Sequence, residues 1–579
     1  MSRPAPEPAR LVDAPVLVVD CQATGATPEL GALIELAWCV FTPADPRPPA
    51  IRATLVALPE GQALPRRVAS LTGIARAELE RAPPAADAWR ALAADAAALR
   101  EPGAAGVVAV AHVAHYEARF VADLRARHGA DGDPALDLLC THALARRLLP
   151  DLPRRTLRAV SGYFGCVLDE HKRSAAHVAA TCAAWRGLAR VLDAQGLASL
   201  DAVRAWVAGS RAPGRRAPAY PLPAEARRAL PRGPGVYRFF AAGDQLLYIG
   251  KATSLRQRVS SHYHVRPGPG RDRHLEMLSQ VRRVAVVETG SPLEAALLES
   301  DAIKADTPPY NRALRGRRDG PWFASRDLLR AAPRPDAAHP LGPLPSPEDV
   351  TALGHLATFL DADDDAPDAL AALRDALGFP GAGRLDPEVL RAGLAELRAA
   401  HPTATAARPA LPGLLKLGAR LFRDARLPDD DDEADAEDPA RDWGWDPERV
   451  RSQLEHVVLR GAHMLRRARW LQRLVHATLL WAPHTAGEGA YRLLAVRDAR
   501  VVLAEDATAG AEPAPPPGAG APATERQARF VGDAATYDRL RVLTTELRRL
   551  AEDGRPVALR LGPGRPLDGR ALLARLRWL

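Results

Sequence analysis

Two short tyrosine- and glycine-containing triplets lie close together near the middle of the chain, and each predicts a β-strand. The first is Gly-Val-Tyr at 235–237, and the second is Tyr-Ile-Gly at 248–250, followed by Lys251. Apolar residues flank both triplets, and the stretch 241–244 between them contains a glycine, so we expect a hairpin. A hairpin brings the two phenol rings onto adjacent strands beside the lysine. This arrangement suits a proton-transfer site.

The segments that follow supply polar groups with helical spacing. Arg258 and His262 lie four positions apart, which places them on one face of a predicted helix. A later helix opens at Ser291 with the Ser-x-x-Glu pattern of a capping box. That helix carries Glu299, a single carboxylate in an otherwise apolar turn, and Pro-Pro-Tyr-Asn at 308–311 ends the unit.

With these motifs in this order, residues 228–314 resemble the GIY-YIG endonuclease domain of the UvrC and Cho excinuclease group. The resemblance implies a small α/β domain that hydrolyses phosphodiester bonds and holds one Mg²⁺ or Mn²⁺ ion at Glu299. His262 stands where many UvrC-type proteins have tyrosine, as it does in some GIY-YIG restriction enzymes. The family's catalytic positions fall on Tyr237, Tyr248, Lys251, Arg258, His262 and Asn311.

These residue types fit the chemistry of phosphodiester hydrolysis, which needs an activated water, charge relief at phosphorus and a stabilised leaving oxygen. Arg258 can donate a fork of hydrogen bonds to phosphate oxygens. Tyr237 can relay the proton of the water if neighbouring positive charge lowers its pKa from about 10. His262, whose usual pKa lies nearer neutrality, is the rival base. The residues leave both routes open.

A second unit is predicted over residues 11–205, where strand and helical segments alternate as in an α/β sheet domain. A buried-type strand ends at Asp20, and polar groups recur at 112–117 and at 170–177. The order resembles the RNase H-like DEDDh exonuclease domain of the DNA polymerase III epsilon proofreading subunit. That family holds two divalent metals between four carboxylates, with a histidine as base.

Several metal-binding positions of that exonuclease family carry different residue types here. Asp20 keeps the first acidic position, and Glu117 replaces an aspartate. Gln22 replaces a glutamate, Lys172 falls on the base position, and His177 falls on a metal-binding aspartate. Because two Mg²⁺ ions need oxygen anions to offset their charge, we expect an inactive relative that acts mainly in DNA binding. Two alternatives are a nitrogen-rich Zn²⁺ or Mn²⁺ site built from the motif histidines, and residual one-metal exonuclease activity.

Composition divides the rest of the chain, so that the whole is predicted to be multidomain α/β. An RNase H-like exonuclease fold and a small α/β GIY-YIG domain precede a mostly helical C-terminal region with a small β-hairpin. The further predicted segments are a linker (206–227), a helical UvrC/Cho-like extension (315–427), an acidic linker (428–443), a helix plus hairpin (444–507), a Pro/Ala/Gly linker (508–525) and a C-terminal α/β piece (526–579).

Bulk properties indicate the partner and the compartment. A net charge of +8 is compatible with a phosphate-rich partner such as DNA. No run of 18 apolar residues occurs, and the start lacks a signal-peptide core, so no membrane association is expected. The cysteines form no Cys-x-x-Cys pairs, which indicates free thiols in a reducing cytoplasm. We therefore expect a cytoplasmic, bacterial-type, nucleoid-associated protein.

The leading prediction is a metal-dependent endonuclease acting on damaged or structured DNA in nucleotide excision or related repair. Other excision-repair proteins are expected partners, although the Phe-Glu-x-Ala-Ala pattern of the UvrB-binding helix pair is not found. One alternative is a non-catalytic DNA-binding repair scaffold, which the retained GIY-YIG positions disfavour. The other is a dual nuclease with residual 3′–5′ exonuclease activity, which the altered exonuclease positions disfavour.

Overall fold

A computed structural model of the chain divides into two compact units. The first comprises Met1–Arg232, Val236–Glu288 and Pro308–Asn311, and the second comprises Gly233–Gly235, Thr289–Thr307 and Arg312–Leu579. The structure describes residues 10–100, 106–168, 173–209, 218–264, 272–311, 321–362, 366–377, 385–424, 446–482, 490–497, 500–508, 533–554, 556–561 and 564–577. The predicted acidic linker 428–443 lies outside these ranges.

The N-terminal part of the first unit is built on a mixed five-stranded sheet. Its strands are β1 (Val16–Ala23), β2 (Leu33–Phe41), β3 (Arg52–Leu55), β4 (Gly106–Ala111) and β5 (Ala135–Cys140), in the order β3-β2-β1-β4-β5. Strand β1 pairs antiparallel with β2 and parallel with β4. Alternate residues of β1 enter different apolar clusters, one containing Trp185 and the other Trp89, so both faces of the sheet are covered.

A smaller three-stranded sheet carries the two triplets. Strands β6 (Gly235–Phe240), β7 (Leu246–Ala252) and β8 (Arg283–Glu288) are arranged in the order β7-β6-β8. The turn between β6 and β7 includes Gly243 at φ 73°, a backbone conformation that glycine adopts without steric cost. The helices of the first unit are Arg66–Thr72, Arg76–Leu79, Ala85–Ala98, His115–His128, Thr141–Leu148, Leu157–Tyr163, Ser174–Ala194, Leu200–Gly209, Ala224–Arg228, Leu255–Ser261 and Asp272–Leu278, with 3₁₀ turns at Leu11–Asp13, Ala242–Asp244 and His262–His264.

We call the part built on the five-stranded sheet β1–β5 the sheet domain, and the part built on β6–β8 the hairpin domain. The two are in direct contact within the first unit. Gly162, in a helix of the sheet domain, lies against Gln280 of the hairpin domain, where an added Cβ would come within 1.8 Å of the Gln280 Oε1 atom. The Thr156 hydroxyl donates a hydrogen bond to the Glu276 carboxylate at 2.6 Å. A larger side chain at residue 162 would therefore force the Gln280 side chain to move.

The second unit contains two further sheets. Strands β9 (Trp322–Ala324), β10 (Ala331–Ala332) and β11 (Leu341–Leu344) form one sheet in the order β10-β9-β11. Strands β12 (Ala477–Trp481), β13 (Ala490–Arg497), β14 (Arg500–Thr508), β15 (Val557–Arg560) and β16 (Leu567–Asp568) form the other, in the order β14-β13-β12-β15-β16. The helices are Pro292–Asp306, Glu348–Asp361, Pro367–Ala376, Pro387–Ala400, Pro402–Thr405, Ala410–Asp424, Pro447–Leu474, Ala534–Glu552 and Gly569–Leu576.

The C-terminal hairpin is part of a larger sheet than the sequence indicates. Strand β12, which precedes the predicted hairpin, pairs with β13 on one side and with β15 on the other. Segments 444–507 and 526–579, predicted as separate pieces, therefore contribute strands to one sheet, because β12 bridges them. The multidomain α/β fold itself is confirmed. None of the helices within the described ranges is long and apolar enough to cross a membrane.

Candidate functional site

Three aromatic rings converge at the centre of the hairpin domain. Tyr237 on β6 is fully buried, and Tyr248 on β7 is half-buried. Their ring centroids lie 6.0 Å apart, and the His262 ring lies 5.6 Å from the first and 6.0 Å from the second. An added Cβ at Gly250 would come within 2.4 Å of the Tyr237 hydroxyl oxygen. The glycine of the second triplet therefore makes room for the hydroxyl of the first.

A short hydrogen bond joins two of these rings. The Tyr237 hydroxyl and the His262 Nε2 atom are 2.6 Å apart. Burial, followed by the charges of His274 and Arg258, lowers the pKa of His262 to about 3, so the imidazole is neutral near pH 7. A neutral imidazole has one acceptor nitrogen, and we assign that nitrogen to Nε2 with the tyrosine as donor. The pair can thus direct the hydroxyl proton of Tyr237 toward His262.

His274 holds the imidazole of this pair in place. Its ring stacks on the His262 ring at a centroid distance of 5.0 Å and an interplanar angle of 20°. Its Nε2 atom donates a hydrogen bond to the backbone oxygen of His262 at 3.0 Å. Sequence reasoning missed His274, because it lies outside the motifs and its contact depends on how the helix Asp272–Leu278 crosses the hairpin. No sequence signal marks it.

Asn311 is buried and fastens the strand that carries the second triplet. Its Oδ1 atom accepts a hydrogen bond from the Ile249 backbone N–H at 3.0 Å, and its Nδ2 atom donates to the Ile249 carbonyl at 2.8 Å. Sequence reasoning placed Asn311 among the catalytic residues. Since both polar atoms of its amide bind the main chain of β7, the geometry gives it a positioning role.

The remaining predicted site residues lie on three different elements. Lys251 is half-buried near the end of β7, whereas Arg258 is exposed on the helix Leu255–Ser261. Glu299 is half-buried on the helix Pro292–Asp306, which belongs to the second unit. After burial and the charge of His274, the charge of Arg258 also lowers the pKa of His262.

The helix that carries Glu299 begins with a variant of the predicted capping box. The Ser291 hydroxyl accepts a hydrogen bond from the Glu294 backbone N–H at 3.2 Å, as predicted. The Glu294 carboxylate accepts from the Gly290 backbone N–H at 2.8 Å, one residue before the N-cap N–H that the motif specifies. An added Cβ at Gly290 would come within 2.9 Å of that carboxylate, so glycine fits this approach.

Comparison with known proteins identifies the hairpin domain. Residues 233–312 match the family model described as the UvrC-like GIY-YIG domain. This segment is a UvrC-like GIY-YIG domain. The chain is similar to UvrABC system protein C of Stenotrophomonas maltophilia, with 40% identity over 122 residues, which cover 20% of each chain. It is also similar to UvrABC system protein C of Xanthomonas campestris pv. campestris, with 47% identity over 93 residues, or 16% of this chain and 15% of the relative.

The chain thus spans about a fifth or less of the length of these UvrC relatives. Among solved structures, the GIY-YIG N-terminal endonuclease domain of Thermotoga maritima UvrC, bound to magnesium, is 28% identical. That match covers 15% of this chain and 93% of the other, with a TM-score of 0.14. Escherichia coli exonuclease I in complex with a dA16 oligonucleotide is 12% identical, covering 39% of this chain and 48% of the other, with a TM-score of 0.27.

Side chains at the exonuclease-like positions of the N-terminal domain contact one another. Asp20 is buried, and its Oδ2 atom accepts a hydrogen bond from Gln22 Nε2 at 3.0 Å. Its Oδ1 atom lies 3.2 Å from His177 Nδ1. Gln22 and His177 thus engage both oxygens of the Asp20 carboxylate. Lys172, predicted at the base position, lies outside the described residues.

Glu117 is the other acidic residue at these positions, and it is buried. It is 4% exposed, and its Oε2 atom has no hydrogen-bond partner among the described residues. Burial, with the charge of Asp20 as a second cause, raises the pKa of Glu117 to about 8.

The nitrogen-rich alternative also lacks support in the described part of the chain. The Nδ1 atom of His112 lies 2.9 Å from the Thr141 hydroxyl. Burial lowers the pKa of His112 to about 3. No cluster of three or more His, Cys, Asp or Glu side chains that could hold a metal ion occurs among the described residues.

Proposed function

We propose that this protein is a metal-dependent GIY-YIG endonuclease that hydrolyses phosphodiester bonds in damaged or structured DNA, in nucleotide excision or related repair. The observation that supports this most directly is the 2.6 Å contact between Tyr237 and His262 inside the aromatic cluster. It gives the UvrC-like GIY-YIG domain a buried and oriented proton-transfer group. DNA is the proposed partner, together with other excision-repair proteins.

Glu299 is the residue that we propose as the metal ligand. A single half-buried carboxylate fits Mg²⁺, because this ion keeps several waters and binds through one or two carboxylates together with substrate phosphates. Mn²⁺ accepts the same oxygen ligands. A divalent ion bound there would supply charge stabilisation at the leaving oxygen. The Thermotoga maritima UvrC domain, which this segment resembles, is bound to magnesium.

The other site residues take separate roles in this proposal. Arg258, which is exposed, binds phosphate oxygens of the DNA. Tyr237 relays the proton of the attacking water, because its hydroxyl is already oriented by His262. As Tyr237 takes the proton of the water, its own hydroxyl proton passes to His262 Nε2, and the low pKa of His262 makes the resulting imidazolium release that proton to solvent. Tyr248 and Lys251 line the same strand, and Asn311 holds that strand in register.

A nicking assay on the full-length protein tests the proposed activity. With Mg²⁺ or Mn²⁺ present, we expect purified protein to convert supercoiled, branched or damaged duplex DNA into nicked product. Removal of the divalent ion by a chelator should stop the reaction, because the proposed transition state depends on the ion. Wild-type protein that leaves all of these substrates intact would instead favour the non-catalytic scaffold.

The Asp20→Ala variant tests the role of the N-terminal domain. We expect its nicking rate to match the wild-type rate, because both oxygens of Asp20 bind neighbouring side chains in the sheet domain. The assay follows a 3′-labelled strand, so that nicking and terminal trimming are measured in the same reaction. A wild-type trimming activity that Asp20→Ala removes would revive the dual nuclease.

A further inference from the structure

The helix Pro292–Asp306 carries Glu299 and belongs to the second unit. It is anchored in the core of the C-terminal region, by which we mean residues 446–577. Leu293 and Leu297 belong to the same apolar cluster as Trp470 and Leu540. Leu293 is 1% exposed and Leu540 is fully buried. This apolar contact brings the helix against the C-terminal region, but apolar contacts alone allow sliding and rotation because they are not directional.

Charged pairs near both ends of the helix remove that freedom. At its start, Glu294 accepts a hydrogen bond from Arg492 on β13 at 2.9 Å, and both side chains are mostly buried. At its end, Lys304 lies 2.9 Å from Asp538, with side-chain exposures of 14% and 13%. Buried ion pairs require good geometry to offset their desolvation, so these two pairs define the axial position of the helix.

A third pair defines the rotation of the helix about its axis. Asp301 accepts a hydrogen bond from Arg539 Nε at 2.6 Å, and Arg539 follows Asp538 on the helix Ala534–Glu552. Asp301 lies four residues after Leu297, so the ion pair and the apolar contact share one face of the helix.

Glu299 lies on a different side of this helix. At about 100° per residue, Glu299 is rotated by about 240° from Leu293, whereas Leu297, Asp301 and Lys304 all fall within about 80° of Leu293. The C-terminal region therefore binds one face of the helix and sets the position of a carboxylate on another.

We infer that the C-terminal region, residues 446–577, positions the metal-binding carboxylate, with Arg492, Asp538 and Arg539 as positioning residues. The inference rests on the proposed function, in which Glu299 holds the ion. Metal affinity depends on the groups that orient a ligand as well as on the ligand itself. A helix held by three directional contacts presents Glu299 in one position, whereas a helix that slides presents it in several.

Direct Mn²⁺ binding to full-length variants tests this inference without requiring cleavage. Electron paramagnetic resonance measures the Mn²⁺ bound by each protein. The amount bound by Glu299→Gln is subtracted, and the difference is the signal. We expect Arg539→Met to weaken this binding about tenfold, the lower end of the effect of removing residues that orient metal ligands. Arg539→Lys keeps a charge opposite Asp301 and should recover part of the affinity. Asp301 is 44% exposed, so its charge stays hydrated when Arg539 is lost.

A second variant and a matched control separate positioning from general destabilisation. Asp538→Asn breaks the pair with Lys304 and should weaken Mn²⁺ binding in the same way. Glu455→Gln breaks a pair with His401, 2.9 Å apart, that involves no residue of the helix Pro292–Asp306, and should bind Mn²⁺ as wild type does. Amide hydrogen exchange within 292–306 should accelerate in Arg539→Met and Asp538→Asn, and not in Glu455→Gln.

The possible outcomes are distinct. Faster exchange in 292–306 with unchanged Mn²⁺ affinity would overturn the inference, because the helix would then be held without any effect on the metal. Unchanged exchange in both variants would also overturn it. Wild-type protein that binds no more Mn²⁺ than Glu299→Gln would remove the metal role of Glu299 itself. That last result is read from the wild type alone, so it marks failure of the proposed function rather than of the positioning contacts.

Discussion

Replacing Glu299 with alanine is expected to lower the rate of DNA nicking by about a thousandfold, or ~4 kcal/mol of transition-state stabilisation. In the proposed site Glu299 is the carboxylate that would hold a divalent ion, and the ion would supply charge stabilisation at the leaving oxygen. The variant should fold normally, because Glu299 lies away from the helix face that packs into the C-terminal core. Conversion of supercoiled to relaxed plasmid, measured across a Mg²⁺ titration, gives the rate.

A matched variant on the same helix controls for the loss of any carboxylate. Asp306 is exposed and is the last residue of this helix. Asp306→Ala should nick DNA at the wild-type rate, and both variants should bind duplex DNA equally. If Glu299→Ala retained most of the wild-type rate at low Mg²⁺, the ion would have to be held by other residues, and the proposed role of Glu299 would be wrong.

The features that sequence reasoning identified correctly are those encoded by nearby residues. The hairpin follows from two apolar runs and a glycine-containing turn, and Gly250 is required because the Tyr237 hydroxyl occupies the space of its missing side chain. Here a local pattern determines which groups meet. Four-residue spacing did not place Arg258 and His262 on one helix face, because the helix ends at Ser261, Arg258 is exposed, and His262 is buried in the following 3₁₀ turn.

The features that sequence reasoning did not identify depend on contacts between distant segments. The bond from Asn311 to the Ile249 backbone joins residues 62 positions apart, so a motif match could not reveal what the amide binds. Strand β12 pairs with β15 across a long stretch of chain, and strand periodicity does not specify which strands pair. The positioning pairs of Glu294, Asp301 and Lys304 likewise involve residues about 200 positions away.

In the N-terminal domain, two of the altered residue types have a structural role. Gln22 and His177 read in the sequence as lost metal ligands. In the structure both bind Asp20, so they satisfy the hydrogen-bonding needs of a buried carboxylate. Such contacts stabilise the domain, and the loss of exonuclease metal binding stays a prediction. A stable domain that binds no exonuclease metals is compatible with the proposal that this domain contacts DNA and that the GIY-YIG site cleaves it.

The Tyr237→Phe variant is expected to slow nicking about a hundredfold at saturating Mg²⁺, the lower range for loss of a positioned acid–base group. It keeps the ring in the aromatic cluster and removes only the hydroxyl that donates to His262. Tyr263→Phe is the matched control. The Tyr263 hydroxyl is buried without a hydrogen-bond partner among the described residues, so its removal should leave the rate unchanged. Equal rates in both variants would eliminate Tyr237 as the relay.

The pH dependence of nicking tests whether His262 changes its charge near neutrality. Burial, His274 and Arg258 lower the pKa of His262 from 6.5 to about 3, so the histidine stays neutral throughout the range near neutrality. At pH values between about 3 and 6.5, His262 is protonated in the unfolded chain and neutral in the folded chain. The stability that neutral His262 contributes is therefore fully present above pH 6.5 and is lost as the pH falls toward 3. The nicking rate should show no break near pH 6.5, and a break there that His262→Gln removed would instead make His262 the base.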